Sequence, residues 1–168
     1  MNTPTKIIVH HTGGSNQDPL ADTSHHTFET VDKYHKSLGW GKIGYHYFIE
    51  KNGRVQQGRL DHETGAHTIG ENNSSLGICL AGNFDATLPT VAQIESLKKL
   101  LIEKTSLYQI PANKILPHRT FSPKTCYGKK LSNTWAAELL EEQSIIALQL
   151  QIRILQLRIQ IARLLSWK

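Results

Sequence analysis

The chain has 168 residues, 39% of them hydrophobic and 20% charged, with a formal net charge of +5. That length supports one domain with a full hydrophobic core and excludes two of ordinary size. Two cysteines argue against a disulfide scaffold, and Arg153, Arg158, Arg163 and Lys168 fall in an acid-free tail that leaves only +1 for the rest, which excludes a basic body for nucleic acid.

Residues 1–6 carry no basic-then-apolar signal segment, and no apolar run reaches membrane-spanning length. The expectation is synthesis in the cytoplasm without a signal peptide and, for any action outside, another route out. Residues 6–9 read as a buried strand ending at His10. His10 and His11 on one strand point to opposite faces, so at most one of them serves a given site. The turn-rich loop that follows runs to about residue 26, and ordered loops of that length are usually functional. Residues 27–37 read as a helix, with Thr27 as N-cap, Gly39 as stop, and Phe28, Val31 and Tyr34 on one apolar face.

Residues 43–49 and 54–57 flank Lys51, Asn52 and Gly53, and Asn-Gly between two β-prone runs predicts a hairpin. Residues 65–75 read as loop, with Asn72 and Asn73 shaping a turn. Residues 76–81 read as a short buried strand holding Cys79 as a free, packed thiol. Thr90 opens a helix through a capping box completed by Gln93. Ile94, Leu97, Leu100 and Leu101 form its apolar stripe, and it ends before Pro111. Residues 115–116 form a short strand leading into His118, and a last helix starts near Asn133 and Thr134. Strands and helices are mixed rather than segregated, which predicts an α/β fold: a central mixed β-sheet flanked by helices, plus a long C-terminal amphipathic helix. The division expected is a catalytic domain over 1–143 and a tail helix over 144–168.

The chemistry gathers in residues 116–128, where His118 and Cys126 are separated by seven residues that include Pro123 and Lys124. Imidazole and thiolate are ligands that zinc prefers, and a loop of that length folds both onto one ion. A catalytic zinc needs a third protein ligand, for which His10 and His11 are the available source. On the residues alone, Tyr45 reads better as an aromatic strand residue, and Lys124 as a common kind of exposed loop lysine. His25, His26, His35, His46 and His62 read as surface or packed histidines.

Four stretches then fall in order: Ile-Val-His-His-Thr at 8–12, Gly-Tyr-His-Tyr-Phe at 44–48, the run from Gly65 through His67 to Leu80, and His118 through Cys126. Together they resemble the zinc-dependent N-acetylmuramoyl-L-alanine amidases of the short phage-lysozyme type, whose fold is shared by the peptidoglycan recognition proteins. The resemblance covers roughly residues 5–140. It implies zinc (Zn2+) bound by His10, His118 and Cys126, catalytic roles for Tyr45 and Lys124, and a place for His67 in the substrate groove. It also implies hydrolysis of the amide between N-acetylmuramic acid and L-alanine in peptidoglycan, as in a phage or prophage endolysin acting on the cell wall after release. The alternative is a recognition module that binds peptidoglycan without cutting it; such relatives typically lose the cysteine ligand. One departure is that Tyr127 stands where the family usually has proline after the ligand cysteine.

The tail from Ile145 lies outside that pattern. Its lack of Gly, Pro, Asn and Asp after a helical start favours one continuous helix. Counting heptads from Ile145, positions a and d hold Ile145, Leu148, Ile152, Leu155, Ile159 and Ala162. Positions c and f hold Ala147, Leu150, Ile154, Leu157, Ile161 and Leu164. Two apolar seams are more than a monomer leaves in water. The expectation is a homo-oligomer through this helix, with contact with a membrane surface or docking on the body as the other outcomes.

Overall fold

In a computed structural model, which describes residues 2–165, the chain forms β1 (Lys6–His11), α1 (Phe28–Ser37), β2 (Tyr47–Ile49), β3 (Val55–Gln57) and β4 (Ser75–Leu80). There follow α2 (Val91–Tyr108), β5 (Ile115–Pro117) and α3 (Trp135–Leu165). The five strands make one sheet in the order β3-β2-β4-β1-β5, with β3 antiparallel to β2 and every other pair parallel. This is the mixed sheet with flanking helices that the alternation of elements predicts.

The pleat divides the sheet into two unlike faces. One face presents Ile7, Val9, Leu76, Ile78, Leu80, Tyr47 and Ile49, which pack with Leu97, Leu100 and Leu101 of α2 and Ala136 and Leu139 of α3. Leu97 and Leu101 are fully buried there, and each contributes about 1.5–3 kcal/mol relative to exposure. A polar tie reinforces the same side: Asp61 accepts from the Tyr47 and Tyr108 hydroxyls at 2.5 and 2.9 Å, and Lys104 pairs with it at 3.0 Å. On the other face α1 covers only Phe48, Cys79 and Ala81, through Val31 and Phe28. His10, on the neighbouring strand in register with Cys79, stands next to that cluster and is not part of it. The site forms around it.

Local signals act as read at several points. Thr27 and Thr90 both close capping boxes, with Thr30 and Gln93. Gly53 takes φ +87° in the hairpin turn, where its N–H donates to the Glu50 carbonyl at 2.9 Å. Two details differ. Tyr34 is exposed, and His35 takes the buried place on α1, because repeated steps of three drift around a helix while Phe28, Val31 and His35 keep the three-then-four spacing of one face. The first hairpin arm is regular only from Tyr47, since Gly44 runs against the Ala66 carbonyl, where a Cβ would stand 2.2 Å from its oxygen.

α3 is one helix of 31 residues, about 46 Å long. Its first turns are docked, through Ala136, Leu139 and partly buried Trp135 and Leu140. From Ile145 onward the large apolar side chains described are exposed. The division expected at 143/144 falls inside this continuous helix. Lys168 lies outside the described residues, as do the side chains of Ala147, Arg163 and Leu164. Among the described residues no helix is long and apolar enough to cross a membrane.

Candidate metal centre

Parallel pairing of β1 with β5 sets Val9 opposite Pro117, so the next residues, His10 and His118, emerge side by side at the carboxyl ends of adjacent strands. Their ring centroids are 4.5 Å apart. The loop after His118 returns Cys126 to the same point, where its Sγ lies 3.7 Å from His10 Nδ1 and accepts from the His11 backbone N–H at 3.4 Å. Ligand atoms of His10, His118 and Cys126 all fall within 4.8 Å of one another. Tetrahedral zinc with bonds of about 2.1 Å to nitrogen and 2.3 Å to sulfur needs N and S about 3.5 Å apart, so this donor set fits it.

Protonation is consistent with that fit. Burial holds the His10 imidazole well below its ordinary pKa, with His67, His118 and His11 adding to the effect. His118 is lowered by burial and by Lys124. Both rings are therefore neutral near pH 7, the form that ligates metal. Burial pushes the Cys126 thiol up to about 12, against the opposing His11 N–H, Lys124 and Arg119. A metal has to displace that proton to bind.

His10 presents Nδ1 toward Cys126 because its other nitrogen is held. His10 Nε2 is 3.1 Å from His67 Nδ1 and 3.4 Å from Thr68 Oγ1, which itself lies 3.0 Å from His67 Nδ1. Partners of this kind fix the tautomer and tilt of a ligand histidine. His67 in turn sits in a slot without side chains: Cβ atoms at Gly77 and Gly65 would each come within 2.5 Å of its ring. Its backbone N–H and that of Thr68 donate to Asn72 Oδ1 at 2.9 and 2.8 Å. Asn72 shapes the turn, as read from sequence, and through that turn it places His67. Burial lowers the His67 imidazole to about 3, with His46 and His118 adding.

His11 points to the opposite face, as strand geometry requires. Its Nδ1 accepts from the Phe84 N–H at 2.9 Å, and burial lowers its pKa to about 4. Tyr45 stacks obliquely on His10 with centroids 5.1 Å apart. Burial raises its phenol well above the ordinary value, helped by the neighbouring Cys79 and Cys126 thiols, so it remains a hydrogen-bond donor. Cys79 is free and buried. Lys124 is exposed on the rim.

The ligand loop is braced by residues that motif reading passes over. Arg119 donates from Nη1 to the Gly128 carbonyl at 2.5 Å, from Nη2 to the Leu131 carbonyl at 2.7 Å and from Nε to Asn133 Oδ1 at 2.6 Å. Its guanidinium lies 5.3 Å from the Tyr127 ring centroid. Tyr127, the departure from the family pattern, is fully buried against Trp135 and donates to the Ser132 carbonyl at 2.8 Å. Asp85 holds the other side, accepting from Thr125 Oγ1 at 2.5 Å and the Lys129 N–H at 2.7 Å.

A cleft of about 510 Å3 opens over the three ligands, walled on one side by Thr12 to Asn16 of the long first loop. A second hollow, about 740 Å3, continues past Trp40, Thr68 and Phe121. Both are lined by Tyr45, His67, His118 and Lys124, so the ligands lie midway along one groove. His25, His26 and His62 do not join it; His46 is buried behind it, accepting from the Gly77 N–H at 3.0 Å.

Residues 1–129 match the Amidase_2 family, described as N-acetylmuramoyl-L-alanine amidase. The endolysin of Enterobacteria phage T3 is 34% identical over 111 residues, 62% of this chain and 72% of that protein. Peptidoglycan-recognition protein SC2 of Drosophila melanogaster is 35% identical over 134 residues, 77% of this chain and 72% of that protein. Among solved structures, the endolysin amidase LysCS from Clostridium intestinale superposes with a TM-score of 0.72 at 29% identity, covering 83% of this chain and 85% of that one. With a family match spanning most of its length and a fold to go with it, the chain belongs to the N-acetylmuramoyl-L-alanine amidase family of Amidase_2 proteins.

Proposed function

We propose that the chain is a zinc-dependent amidase that hydrolyses the bond between N-acetylmuramic acid and L-alanine in bacterial peptidoglycan, in the manner of an endolysin that reaches the wall after release from the cytoplasm. The observation that carries this reading is the convergence of His10, His118 and Cys126 at the floor of an open groove. Zinc held there would activate water and polarise the scissile carbonyl. The chain's own residues then have separate tasks. His67 and Thr68 hold the His10 Nε2 side and so keep Nδ1 on the ligand position. Tyr45 supplies a protonated phenol beside the site and Lys124 a cation on its rim, the two groups suited to a carbonyl oxygen as negative charge develops on it. Asp85 is the carboxylate of the cleft lining, but both of its oxygens are occupied by Thr125 and Lys129. It serves the loop rather than the proton transfer. A module that only binds peptidoglycan has no use for Cys126 in that geometry.

Digestion of purified peptidoglycan tests the reaction class. The expected products carry new alanine α-amines and no new reducing sugar ends; new reducing ends would make the activity glycosidic instead. Tyr45→Phe and Lys124→Ala should retain zinc while turnover falls by an order of magnitude or more. A change confined to substrate affinity would remove their catalytic assignment.

A further inference from the structure

The part of α3 beyond its docked turns is unaccounted for by the groove. Leu139 and Ala136 are buried against the sheet and α2, on the face opposite the metal site. From Ile145 to Ile161, nine residues of the two seams are between 43% and 60% exposed. Among the described residues neither seam is covered by the body. Nine half-uncovered aliphatic side chains leave on the order of 800 Å2 of surface per chain, roughly 400 Å2 in each seam; only the two seams together match the area one partner contributes to a stable interface, so both have to be engaged.

We propose that this segment is a self-association element in which each seam takes a seam of another copy of this chain. The identity of the residues favours that occupant. In the first seam position a is Ile145, Ile152 and Ile159, and position d is Leu148 and Leu155. The second seam repeats the choice, with Ile154 and Ile161 at the leading position and Leu150 and Leu157 at the following one. Isoleucine then leucine at three-and-four spacing is the pattern of two-helix contacts. At 100° per residue the seams lie roughly 160° apart, so each helix engages two neighbours on opposite sides and the assembly stays open-ended.

Mostly polar residues separate the seams, Gln151 and Arg158 on one flank and Gln149, Arg153, Gln156 and Gln160 on the other, where Ile146 is the described apolar exception. A helix lying on a membrane needs one continuous apolar face opposite its charges, and here the apolar surface is split. No acidic residue follows Glu142, so approaching copies repel one another electrostatically. Salt should therefore strengthen self-association, whereas it weakens attachment to an anionic surface.

Sedimentation of the zinc-loaded full chain tests the proposal independently of the amidase reading. The wild type should exceed a dimer at micromolar concentration, with a weight-average mass that rises with protein and with salt. Ile152→Gln with Leu155→Gln, which removes one seam, should lower the mass to two chains. Ile154→Gln with Leu157→Gln should do the same, and all four together should give a monomer that hydrolyses peptidoglycan as fast per chain as the wild type. A wild-type monomer at both salt levels, or a fourfold variant that still assembles, would overturn the proposal. So would a wild-type monomer that co-sediments with phosphatidylglycerol vesicles and is released by salt; that result reassigns the helix to a lipid surface.

Discussion

Gly77 lies in β4 beneath the ring of His67, and Gly77→Ala isolates the link between sheet and site. The added Cβ would stand 2.5 Å from His67 Cγ and Cδ2 and 2.7 Å from Nε2. Ordinary carbon contacts need about 3.5 Å, so the ring has to move by about 1 Å. It cannot retreat freely, because Gly65 closes the slot and His10 and Thr68 hold Nδ1. Overpacking of this kind costs about 1–3 kcal/mol, set against a gain of about 0.5–1 kcal/mol for alanine over glycine in a strand. The net expectation is a loss of about 1–2 kcal/mol, a fall in Tm of roughly 3–6 °C for a chain of this size. Activity should drop further, by about a hundredfold, since the displaced ring shifts His10. In a His67→Ala background the new methyl has room, and the same substitution should be neutral or stabilising. Thermal melts and peptidoglycan hydrolysis on the four proteins complete the cycle. A Gly77→Ala protein that melts at or above wild type, or an equal loss in both backgrounds, would refute the slot.

Two further outcomes follow from the groups around the site. Arg119→Ala should weaken zinc binding by about 10–100-fold in competition with a chromophoric chelator, and Arg119→Lys should not rescue it, since one ammonium cannot serve three acceptors in fixed directions; unchanged affinity would reduce Arg119 to a surface residue. In the metal-stripped protein, His11 titrates near 4 folded and about 6.5 unfolded. The unfolded chain binds the extra proton between those values, so His11 alone contributes about 3 kcal/mol to the loss of stability as pH drops from 6.5 to 4, in addition to His10 and His67, whose pKa values burial also lowers. Urea midpoints should show this, and His11→Asn should make the slope shallower by up to one proton; an unaltered slope would remove His11 from the acid sensitivity.

What the sequence made legible was local. The capping boxes of Thr27 and Thr90, the Gly53 turn and the uninterrupted run of α3 are each decided by a few neighbouring residues, and each forms as read. The opposite pointing of His10 and His11 needed only the strand period. The family resemblance supplied the grouping of His10 with His118 and Cys126, whose proximity depends on the β1–β5 register, a long-range pairing that no spacing encodes. For the same reason the slot for His67 was invisible, because Gly65 and Gly77 read as loop and strand glycines until the fold stacks them about one ring. Arg119 gave no pattern either: its acceptors are mostly backbone carbonyls, which carry no residue identity.

Metal binding and hydrolysis should depend on the same three side chains, His10, His118 and Cys126. Zinc content and peptidoglycan hydrolysis, measured on the same preparations of wild type, chelator-stripped wild type, His118→Ala and Cys126→Ala, test it most directly. The wild type should carry one zinc per chain, the other three should lack metal and hydrolysis together, and the stripped protein should recover on adding zinc. Undiminished hydrolysis by the stripped protein, or by Cys126→Ala without zinc, would contradict it.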